Sequence, residues 1–306
     1  MVSFRIGVDG GGTKTECILV DARGEIVARR IAPASNPSVV GPEQARLGVT
    51  DALCALLAEA KSFLPGLRVE STLLCMAGSR SFWREFAETL TDFGTVRTVD
   101  DSIPALELAT HGDPGLVLHA GTGSFVAARG LDGALHYAGG LGWRFGDFGS
   151  GYDLGQRAVT RALLETQGWA APSRIGPAVR AHAQLGEAAD IVALNRFFYH
   201  HAEPNGVIAA LAPTLLRLAS EGDPQALTLV LESTGELVAL ATKVAAKLFP
   251  AHPLDTIPAG LSGPILTQPF VATALATRTP LPLIPLDQPA IEGVRRLLVR
   301  GFQHQR

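Results

Sequence analysis

The sequence predicts a two-domain α/β protein. Its 306 residues are enough for two domains, each with a sizeable hydrophobic core. Segments with the composition of β-strands and segments of helical periodicity occur in both halves of the chain. Two glycine-rich hairpins of the same design, one near residue 10 and one near residue 122, indicate two related domains. Each domain would offer a phosphate-binding loop to a shared cleft.

Composition narrows the function classes. Hydrophobic residues make up 47% of the chain and charged residues 18%, which excludes a disordered protein. The net charge of -3 lacks the excess of positive charge that is typical of nucleic-acid-binding proteins. No signal-peptide pattern and no apolar run long enough to span a bilayer is present, so we expect no membrane association. Three widely separated cysteines fit a reducing cytoplasm better than a disulfide framework or a metal site.

The first hairpin has an unusually glycine-rich tip. Apolar runs at Phe4–Val8 and Cys17–Val20 flank three consecutive glycines, Gly10–Gly12. Such a run lets bare backbone N–H groups approach a ligand closely, and a phosphate chain is the common case. Thr13 adds a hydroxyl donor, and Asp9 could hold Mg²⁺ through water, because Mg²⁺ prefers oxygen ligands and keeps several waters. The hairpin therefore indicates nucleotide binding.

Spacing excludes two familiar nucleotide motifs at this hairpin. A Walker A loop needs glycine directly before the lysine, whereas Thr13 precedes Lys14. A dinucleotide fingerprint needs a third glycine where Thr15 stands, and a helix where a strand follows. A plain glycine-rich hairpin without function remains the alternative interpretation.

The rest of the first half alternates strands and helices. A polar loop at 34–38 follows the third strand, and a short strand delivers Asp100 and Asp101 at its C-terminal end. The predicted elements are strands at Glu25–Ile31, Val69–Met76 and Thr95–Val99, and helices at Pro42–Lys61, Phe82–Phe93 and Ile103–Ala109.

The second half repeats the opening and then becomes mostly helical. After a break at Pro114, a strand from Leu116 leads to the tip Gly121–Ser124 and a second strand at Phe125–Ala128. Seven of the seventeen residues from 139 to 155 are glycine, and a loop of this length and composition is more often functional than connective. The remaining predicted elements are helices at Gln156–Leu164, Pro177–Ala183, Ile191–Tyr199, Val207–Ala219 and Pro224–Phe249, a strand at Thr256–Ala259, a turn at Gly260–Pro264 and a last helix from Pro289.

Taken in order, these motifs resemble the BadF/BcrA-type ATPase family, in the sugar-kinase branch of the actin-like, hexokinase-like ATPases. The best-known sugar kinases of that family act on N-acetylglucosamine and glucosamine. The matching segments are Asp9–Thr15 for the first phosphate motif, Asp101 for the catalytic aspartate, Gly121–Ser124 for the second phosphate motif, Gly139–Gly151 for a characteristic loop and Gly260–Pro264 for the adenosine loop.

The resemblance implies an architecture. Members of this superfamily have two ribonuclease-H-like domains around a central cleft, each a five-stranded mixed sheet flanked by helices. On this basis we expect an N-terminal domain at 1–114 and a C-terminal domain at 115–288. The final helix, within 289–306, is expected to rejoin the first domain.

The resemblance also implies an activity. We expect an ATP- and Mg²⁺-dependent kinase that transfers the γ-phosphate to the 6-hydroxyl of N-acetylglucosamine. Glucosamine or another hexose is the alternative substrate. Relatives are often homodimers, and we expect a homodimer here, in the cytoplasm.

Asp101 is the candidate general base. A sugar hydroxyl is a poor nucleophile, and a carboxylate within hydrogen-bond reach can orient it and accept its proton. Helix capping ahead of Ile103 is the alternative role, since aspartate is a favoured N-cap residue. The resemblance further assigns ATP and phosphate binding to Gly11, Gly12, Thr13, Lys14, Gly121, Thr122, Gly123, Gly260 and Gly263, sugar binding to Asn36, Gly78, Asp101, Ser124 and Asp147, and a water-mediated Mg²⁺ contact to Asp9.

Two of these sugar residues have ordinary alternatives, and two positions depart from the family pattern. Asn36 could be a turn residue before a proline, and Asp147 could cap backbone N–H groups of its loop. Relatives commonly carry Trp where Leu141 stands and Glu where Phe148 stands. Those departures leave the exact sugar open.

Two further function classes fit the sequence less well than a sugar kinase. The activator ATPases of the same family hold an iron–sulfur cluster between subunits, which requires suitably placed cysteines. Cys17 and Cys75 fall in predicted strands and Cys54 in a predicted helix, so none has the placement of a cluster ligand. A transcriptional regulator would need a DNA-reading module such as a helix-turn-helix, which the sequence does not show.

Overall fold

The computed structural model describes residues 3–186 and 188–301. The chain forms two compact units. The first comprises the described residues up to Gly112 and those from Asp287 onward, and the second runs from Asp113 to Leu286.

Strands and helices alternate in the first unit, and helices dominate the second. The strands are β1 (Ser3–Gly10), β2 (Lys14–Val20), β3 (Ile26–Pro33), β4 (Arg68–Met76), β5 (Thr95–Asp100), β6 (Gly115–Ala120), β7 (Ser124–Arg129), β8 (Leu135–Gly139), β9 (Ala259–Ser262) and β10 (Leu283–Pro285). The helices are α1 (Pro37–Val40), α2 (Pro42–Phe63), α3 (Arg80–Thr89), α4 (Ser102–Thr110), α5 (Gly151–Thr166), α6 (Ile175–His182), α7 (Ile191–His200), α8 (Pro204–Ala209), α9 (Ala212–Ser220), α10 (Pro224–Leu248), α11 (Pro269–Ala276) and α12 (Ala290–Arg300).

The two units contain sheets of the same design. In the first unit the strand order is β3-β2-β1-β4-β5; β1, β2 and β3 pair antiparallel, while β4 and β5 run parallel to β1. In the second the order is β10-β9-β6-β7-β8; β6, β7 and β8 pair antiparallel, while β9 and β10 run parallel to β6. Two five-stranded mixed sheets with helices confirm the predicted fold class.

Hydrophobic periodicity explains how the helices attach to these sheets. Helix α2 buries one face, including Ala45, Val49, Leu53 and Leu56, against the first sheet. Helices α5, α9 and α10 contribute many of the buried residues of the second unit's core, where α10 packs on β6 and β7. The buried faces of α2, α5, α9 and α10 thus pack within their own units.

Helix α12 contacts β1 and α4 within the first unit. Gly7 on β1 provides space for this helix, since a Cβ atom built there would lie 2.6 Å from a Val294 methyl group. A Cβ atom on Gly293 would lie 2.1 Å from the carbonyl oxygen of Pro104, so the backbones of α12 and α4 are in close contact. Small residues permit this approach, and they fix the position of α4 against the sheet.

Several predicted boundaries are wrong. The strand predicted at Thr256–Ala259 lies further along, at Ala259–Ser262, and a 3₁₀ turn occupies Leu254–Thr256. Residues 260–262, predicted to turn, therefore belong to β9. The parallel neighbours β6 and β10 stabilise these residues as a strand, and pairing of this kind overrides a local Gly-Pro turn signal.

Other elements were missed or differ in length. Helix α5 begins at Gly151, because the Ser150 side chain caps it by accepting the Asp153 amide at 3.2 Å. Helix α3 ends at Thr89 rather than at Phe93, and the short helix α1 forms within the predicted polar loop. The edge strands β8 and β10 were not predicted at all. Edge strands are short and have one exposed side, so their hydrophobic pattern is weak.

Across the described residues, no helix has the length and apolar character that crossing a membrane requires.

Two helical glycines test the packing of α12. Gly293→Ala should lower the free energy of unfolding by roughly 1–3 kcal/mol, because the new methyl group meets the Pro104 backbone. Gly48→Ala, in α2, should raise it by about 0.5–1 kcal/mol, because nothing lies within 4 Å and alanine favours the helix. Urea unfolding of both variants measures the difference. Equal effects of the two substitutions would contradict the close contact of α12 with α4.

Candidate active site

The tip of the first hairpin is tied to two neighbouring loops by backbone hydrogen bonds. The carbonyl oxygen of Gly10 accepts the amide of Ala77 at 2.8 Å. The carbonyl oxygen of Gly11 accepts the amides of Ser35 at 3.1 Å and Asn36 at 3.2 Å. Gly12 and Thr13 remain exposed, where they could contact a phosphate. The predicted phosphate loop and the predicted sugar loops therefore share one edge of the sheet.

Asn36 and Gly78 lie next to each other in this arrangement. Gly78 has φ +103°, and a Cβ atom there would lie 3.0 Å from Pro37 and 3.1 Å from Oδ1 of Asn36. Only glycine fits this conformation and this space. Oδ1 of Asn36 also accepts the Ser38 amide at 3.0 Å and caps α1, so the turn role predicted as an alternative applies to that oxygen. The Nδ2 group is the part of Asn36 that could bind a ligand.

Asp101 stands at the C-terminal end of β5, in the N-cap position of α4. Its side chain makes no capping hydrogen bond, which argues against the purely structural alternative. Burial raises the pKa of Asp101 to about 6, and the neighbouring Asp100 adds to the shift. The backbone amides of Asp101 and Ser102 oppose it. A carboxylate with a pKa near 6 is ionised at neutral pH and is a better proton acceptor than an ordinary aspartate.

Asp9 is a second carboxylate of raised pKa at the same edge. Burial raises its pKa to about 7, and the negative charges of Asp101 and Glu16 contribute, while Lys14 opposes them. A divalent cation would compensate this concentration of negative charge. Among the described residues no three His, Cys, Asp or Glu side chains cluster as a metal centre. Proteins often bind Mg²⁺ through one or two carboxylates plus substrate phosphates.

Lys14 is bound to a buried carboxylate. Its ammonium group donates to Glu16 at 2.7 Å, and Arg29 binds the same carboxylate from the neighbouring strand. Burial alone would raise the pKa of Glu16, but hydrogen bonds from Lys14 and Arg29 outweigh it and lower that pKa. If Lys14 contacts the phosphates as predicted, its ammonium group must do so while it is bound to Glu16.

In the second unit, Asp147 lies beside the second phosphate motif. Its Oδ1 accepts the Gly142 amide at 3.0 Å, so part of this carboxylate organises the glycine-rich loop. Its Oδ2 lies 3.3 Å from a Cβ atom built on Gly123. Burial raises the pKa of Asp147; the Gly142 amide lowers it and Asp153 raises it. Asp147 thus combines the loop-capping role with a position next to Gly123 and Ser124.

The segment around Gly260 and Gly263 also contacts this motif. Gly263 has φ +87°, and a Cβ atom there would lie 2.3 Å from the carbonyl oxygen of Ala120. His119 Nδ1 and Ser262 Oγ lie 3.2 Å apart on the paired strands β6 and β9. Burial lowers the pKa of His119 to about 4, so this imidazole is neutral at pH 7. The two predicted nucleotide segments of the second unit are adjacent.

The two positions that depart from the family pattern are exposed. Leu141 is 61% exposed and Phe148 is 42% exposed, in the same loop as Asp147. Trp143, in the middle of the loop, packs its ring against Tyr152 at a centroid distance of 5.2 Å. The loop therefore exposes two apolar side chains within six residues of Asp147 in sequence.

Each unit brings a subset of the predicted residues together. In the first these are Asp9, Gly11, Gly12, Thr13, Asn36, Gly78 and Asp101, and in the second Gly121, Thr122, Gly123, Ser124, Asp147, Gly260 and Gly263. Glu16, which binds Lys14, and Arg80, which binds Asp100, were not predicted from the sequence as site residues. A glutamate inside an otherwise apolar strand was the available signal for Glu16. Nothing local marks Arg80, because its partner is distant in sequence.

The cysteines lie apart in the first unit. Cys17 and Cys75 are buried, and Cys54 is exposed on α2. Burial raises the pKa of Cys17 to about 12 and that of Cys75 well above its usual value. These are inert core thiols, which gives no support to an iron–sulfur activator.

The paired mixed sheets define an actin-like ATPase fold. A candidate N-acetylglucosamine kinase from Chromobacterium violaceum is 29% identical, with a TM-score of 0.74 over 96% of this chain and 98% of that one. A glucokinase of the ROK family from Streptomyces griseus shares the fold at 16% identity, with a TM-score of 0.57 over 98% of this chain and 100% of that one.

The family follows from the sequence itself. Residues 6–255 match the model of the BadF/BadG/BcrA/BcrD ATPase family, and the chain belongs to that family. The N-acetyl-D-glucosamine kinase of Dictyostelium discoideum is 27% identical over 228 residues, covering 60% of this chain and 72% of the relative. The glucosamine kinase of Vibrio cholerae is 24% identical over 251 residues, covering 77% of this chain and 78% of the relative.

The raised pKa of Asp101 predicts a pH-dependent effect on stability. The folded state holds this proton up to about pH 6 and the unfolded state only to about pH 3.8, so ionisation costs stability as pH rises through that interval. Asp101→Asn removes this cost and should stabilise the fold by about 3 kcal/mol at pH 8 but little at pH 3.5. Thermal unfolding at both pH values measures it. A pH-independent difference between variant and wild type would refute the prediction.

Proposed function

We propose that this protein is a sugar kinase that transfers the γ-phosphate of ATP to the 6-hydroxyl of N-acetylglucosamine. The observation that carries the proposal is the position of Asp101 in the first unit. A carboxylate of raised pKa directly follows β5, at the end of the sheet that also holds the phosphate hairpin, Asn36 and Gly78. A base, a phosphate loop and sugar-binding groups at one edge are the components that phosphoryl transfer to a hydroxyl needs.

In the proposed reaction, Asp101 accepts the proton of the 6-hydroxyl while the sugar oxygen forms its bond to the γ-phosphorus. The bond between that phosphorus and the bridging oxygen of ADP breaks, and ADP leaves with the electron pair. Asn36 and Asp147 orient the sugar through its hydroxyl groups. Backbone amides at Gly11–Thr13 and Gly121–Gly123 bind the phosphates and balance the charge that develops on them.

Asp9 is the residue that would hold Mg²⁺ through water. Bound magnesium neutralises negative charge on the phosphate oxygens. The raised pKa of Asp9 supports this assignment, because a nearby cation would stabilise its ionised form. Lys14 would contact the phosphates from its position on Glu16.

The choice of N-acetylglucosamine follows from the relatives. Three similar proteins bear that sugar in their names, from Dictyostelium discoideum, Chromobacterium violaceum and Clostridium acetobutylicum, the last of which is a kinase for N-acetylmuramic acid as well. The exposed apolar side chains beside Asp147 are compatible with a substituent such as an acetyl group.

We also propose a cytoplasmic homodimer, which sedimentation equilibrium and cell fractionation would test.

A sugar panel tests the proposal directly. ATP consumption with Mg²⁺ should depend on N-acetylglucosamine and be much lower with glucosamine, glucose, N-acetylmannosamine, N-acetylmuramic acid or no sugar. Asp101→Asn should reduce kcat by about 10²–10⁴-fold, because the general base is lost, without reducing ATP affinity. ATP hydrolysis that is indifferent to every sugar would refute the kinase and favour an activator-type ATPase.

Asp147 provides a prediction for the sugar site. Asp147→Asn should raise KM for the sugar by about 10–100-fold, since hydrogen bonds to charged groups contribute roughly 1.5–3 kcal/mol. Its effect on KM for ATP should be small. Asp132→Asn is the matched control, because Asp132 lies exposed in the turn between β7 and β8 of the same unit. A change in KM for ATP alone would assign Asp147 to the nucleotide.

A further inference from the structure

A charged pair lies directly beside the candidate base. Arg80 is the first residue of α3, and Asp100 is the last residue of β5. Nε of Arg80 donates to Oδ1 of Asp100 at 2.7 Å, and a terminal guanidinium nitrogen donates to Oδ2. Both carboxylate oxygens are therefore engaged in the two-pronged geometry that arginine makes with carboxylates.

This pair connects the two segments that carry sugar-site residues in the first unit. Strands β4 and β5 are parallel neighbours, and Met76 at the end of β4 is in register with Asp100. The connection from β4 to α3 contains Gly78, two residues before Arg80. Asp101 follows Asp100 directly. The ion pair thus joins the segment of Gly78 to the segment of Asp101.

The start of α3 is itself well fixed. The Ser79 side chain caps the helix, and the indole nitrogen of Trp83 donates to the carbonyl oxygen of Ala77 at 2.8 Å. Trp83 is buried in the core of the first unit. Arg80 is consequently attached to a rigid element, and Asp100 is held from that element.

Electrostatics give the pair a second effect. The negative charges that act on Asp101 or respond to it are Asp100, the last residue of β5, and Asp9 on β1, and the buried thiol of Cys75 lies on β4. The guanidinium of Arg80 offsets the negative charge of Asp100 next to Asp101. Binding by Arg80 also fixes the orientation of the Asp100 carboxylate.

We propose that Arg80 is a positioning residue for phosphoryl transfer. Through Asp100 it fixes the end of β5, so that Asp101 faces the acceptor hydroxyl while Asp100 faces away from it. This inference rests on the proposed function, because it assigns Arg80 a role relative to the base of that reaction.

The rival interpretation is an ordinary surface ion pair. The Arg80 side chain is 70% exposed and that of Asp100 18% exposed, and exposed pairs contribute only about 0–1 kcal/mol to stability. A stability measurement alone cannot separate the two interpretations. The discriminating readout is a fall in kcat without a matching change in substrate affinity.

The experiment compares Arg80→Ala, Arg80→Lys, Asp100→Asn and the double variant Arg80→Ala/Asp100→Asn with Arg84→Ala. Arg84 is an exposed arginine one turn further along the same helix, so it controls for loss of positive charge on α3. Steady-state kinetics with N-acetylglucosamine and ATP would give kcat and both KM values. Thermal unfolding would confirm that each variant is folded.

We expect Arg80→Ala to lower kcat by about 10–100-fold, because small displacements of a reacting group have effects of that size. Both KM values should change less than about 3-fold, and millimolar guanidinium should restore part of kcat. Arg80→Lys should remain impaired, because an ammonium group cannot bind both carboxylate oxygens in the same plane. The double variant should be no slower than the slower single variant, since both changes break one interaction.

Full kcat in Arg80→Ala, or losses that multiply in the double variant, would overturn the positioning role and leave the kinase intact. The same losses in Arg84→Ala would also overturn it, in favour of a general effect of charge. A wild-type protein that phosphorylates no sugar in the panel would refute the proposed function, and the role of Arg80 with it.

Discussion

Two carbonyl oxygens at the end of β1 hold the first unit's site together. Gly10 and Gly11 accept amides from the segments that carry Gly78 and Asn36. Because β1 is the central strand of its sheet, these bonds attach the hairpin tip and both loops to one rigid element, and β4 connects that element to β5. The phosphate loop and the sugar loops cannot move independently as long as these bonds persist.

The second unit uses the same construction with different partners. Its central strand β6 ends at Ala120, and the carbonyl oxygen of Gly121 accepts the first amide of α5 at 2.8 Å. The backbone of Ala120 is in close contact with Gly263. In both units, then, backbone contacts around the end of the central strand position the candidate site residues. The side chains at the hairpin tip remain available for ligands.

The sequence predicted the elements that carry strong local signals. The hairpin β1–β2 and the helix α2 follow from apolar runs, a glycine tip and helical periodicity, and the structure contains all of them. The start of α5 was misplaced because Ser150 caps it within a loop that is otherwise dense in glycine. Strand β9 was misplaced because its conformation depends on two neighbouring strands rather than on its own residues.

The site was predictable to a different extent. Asp101 could be singled out only through a family resemblance, since composition alone favoured a helix cap. Its raised pKa and the missing cap hydrogen bond are properties of the folded chain. The bond between Arg80 and Asp100 spans 20 positions and depends on parallel pairing of β4 with β5, which no local pattern specifies.

The return of α12 to the first unit has a consequence for synthesis on the ribosome. The second unit is complete in sequence at Leu286, before α12 has been translated. Most of the first unit precedes the second in the chain, yet its central strand and α4 have α12 as a packing partner. The half of the protein that emerges first is therefore the half that completes its core last, and it must keep β1 and α4 partly uncovered while the entire second unit is made.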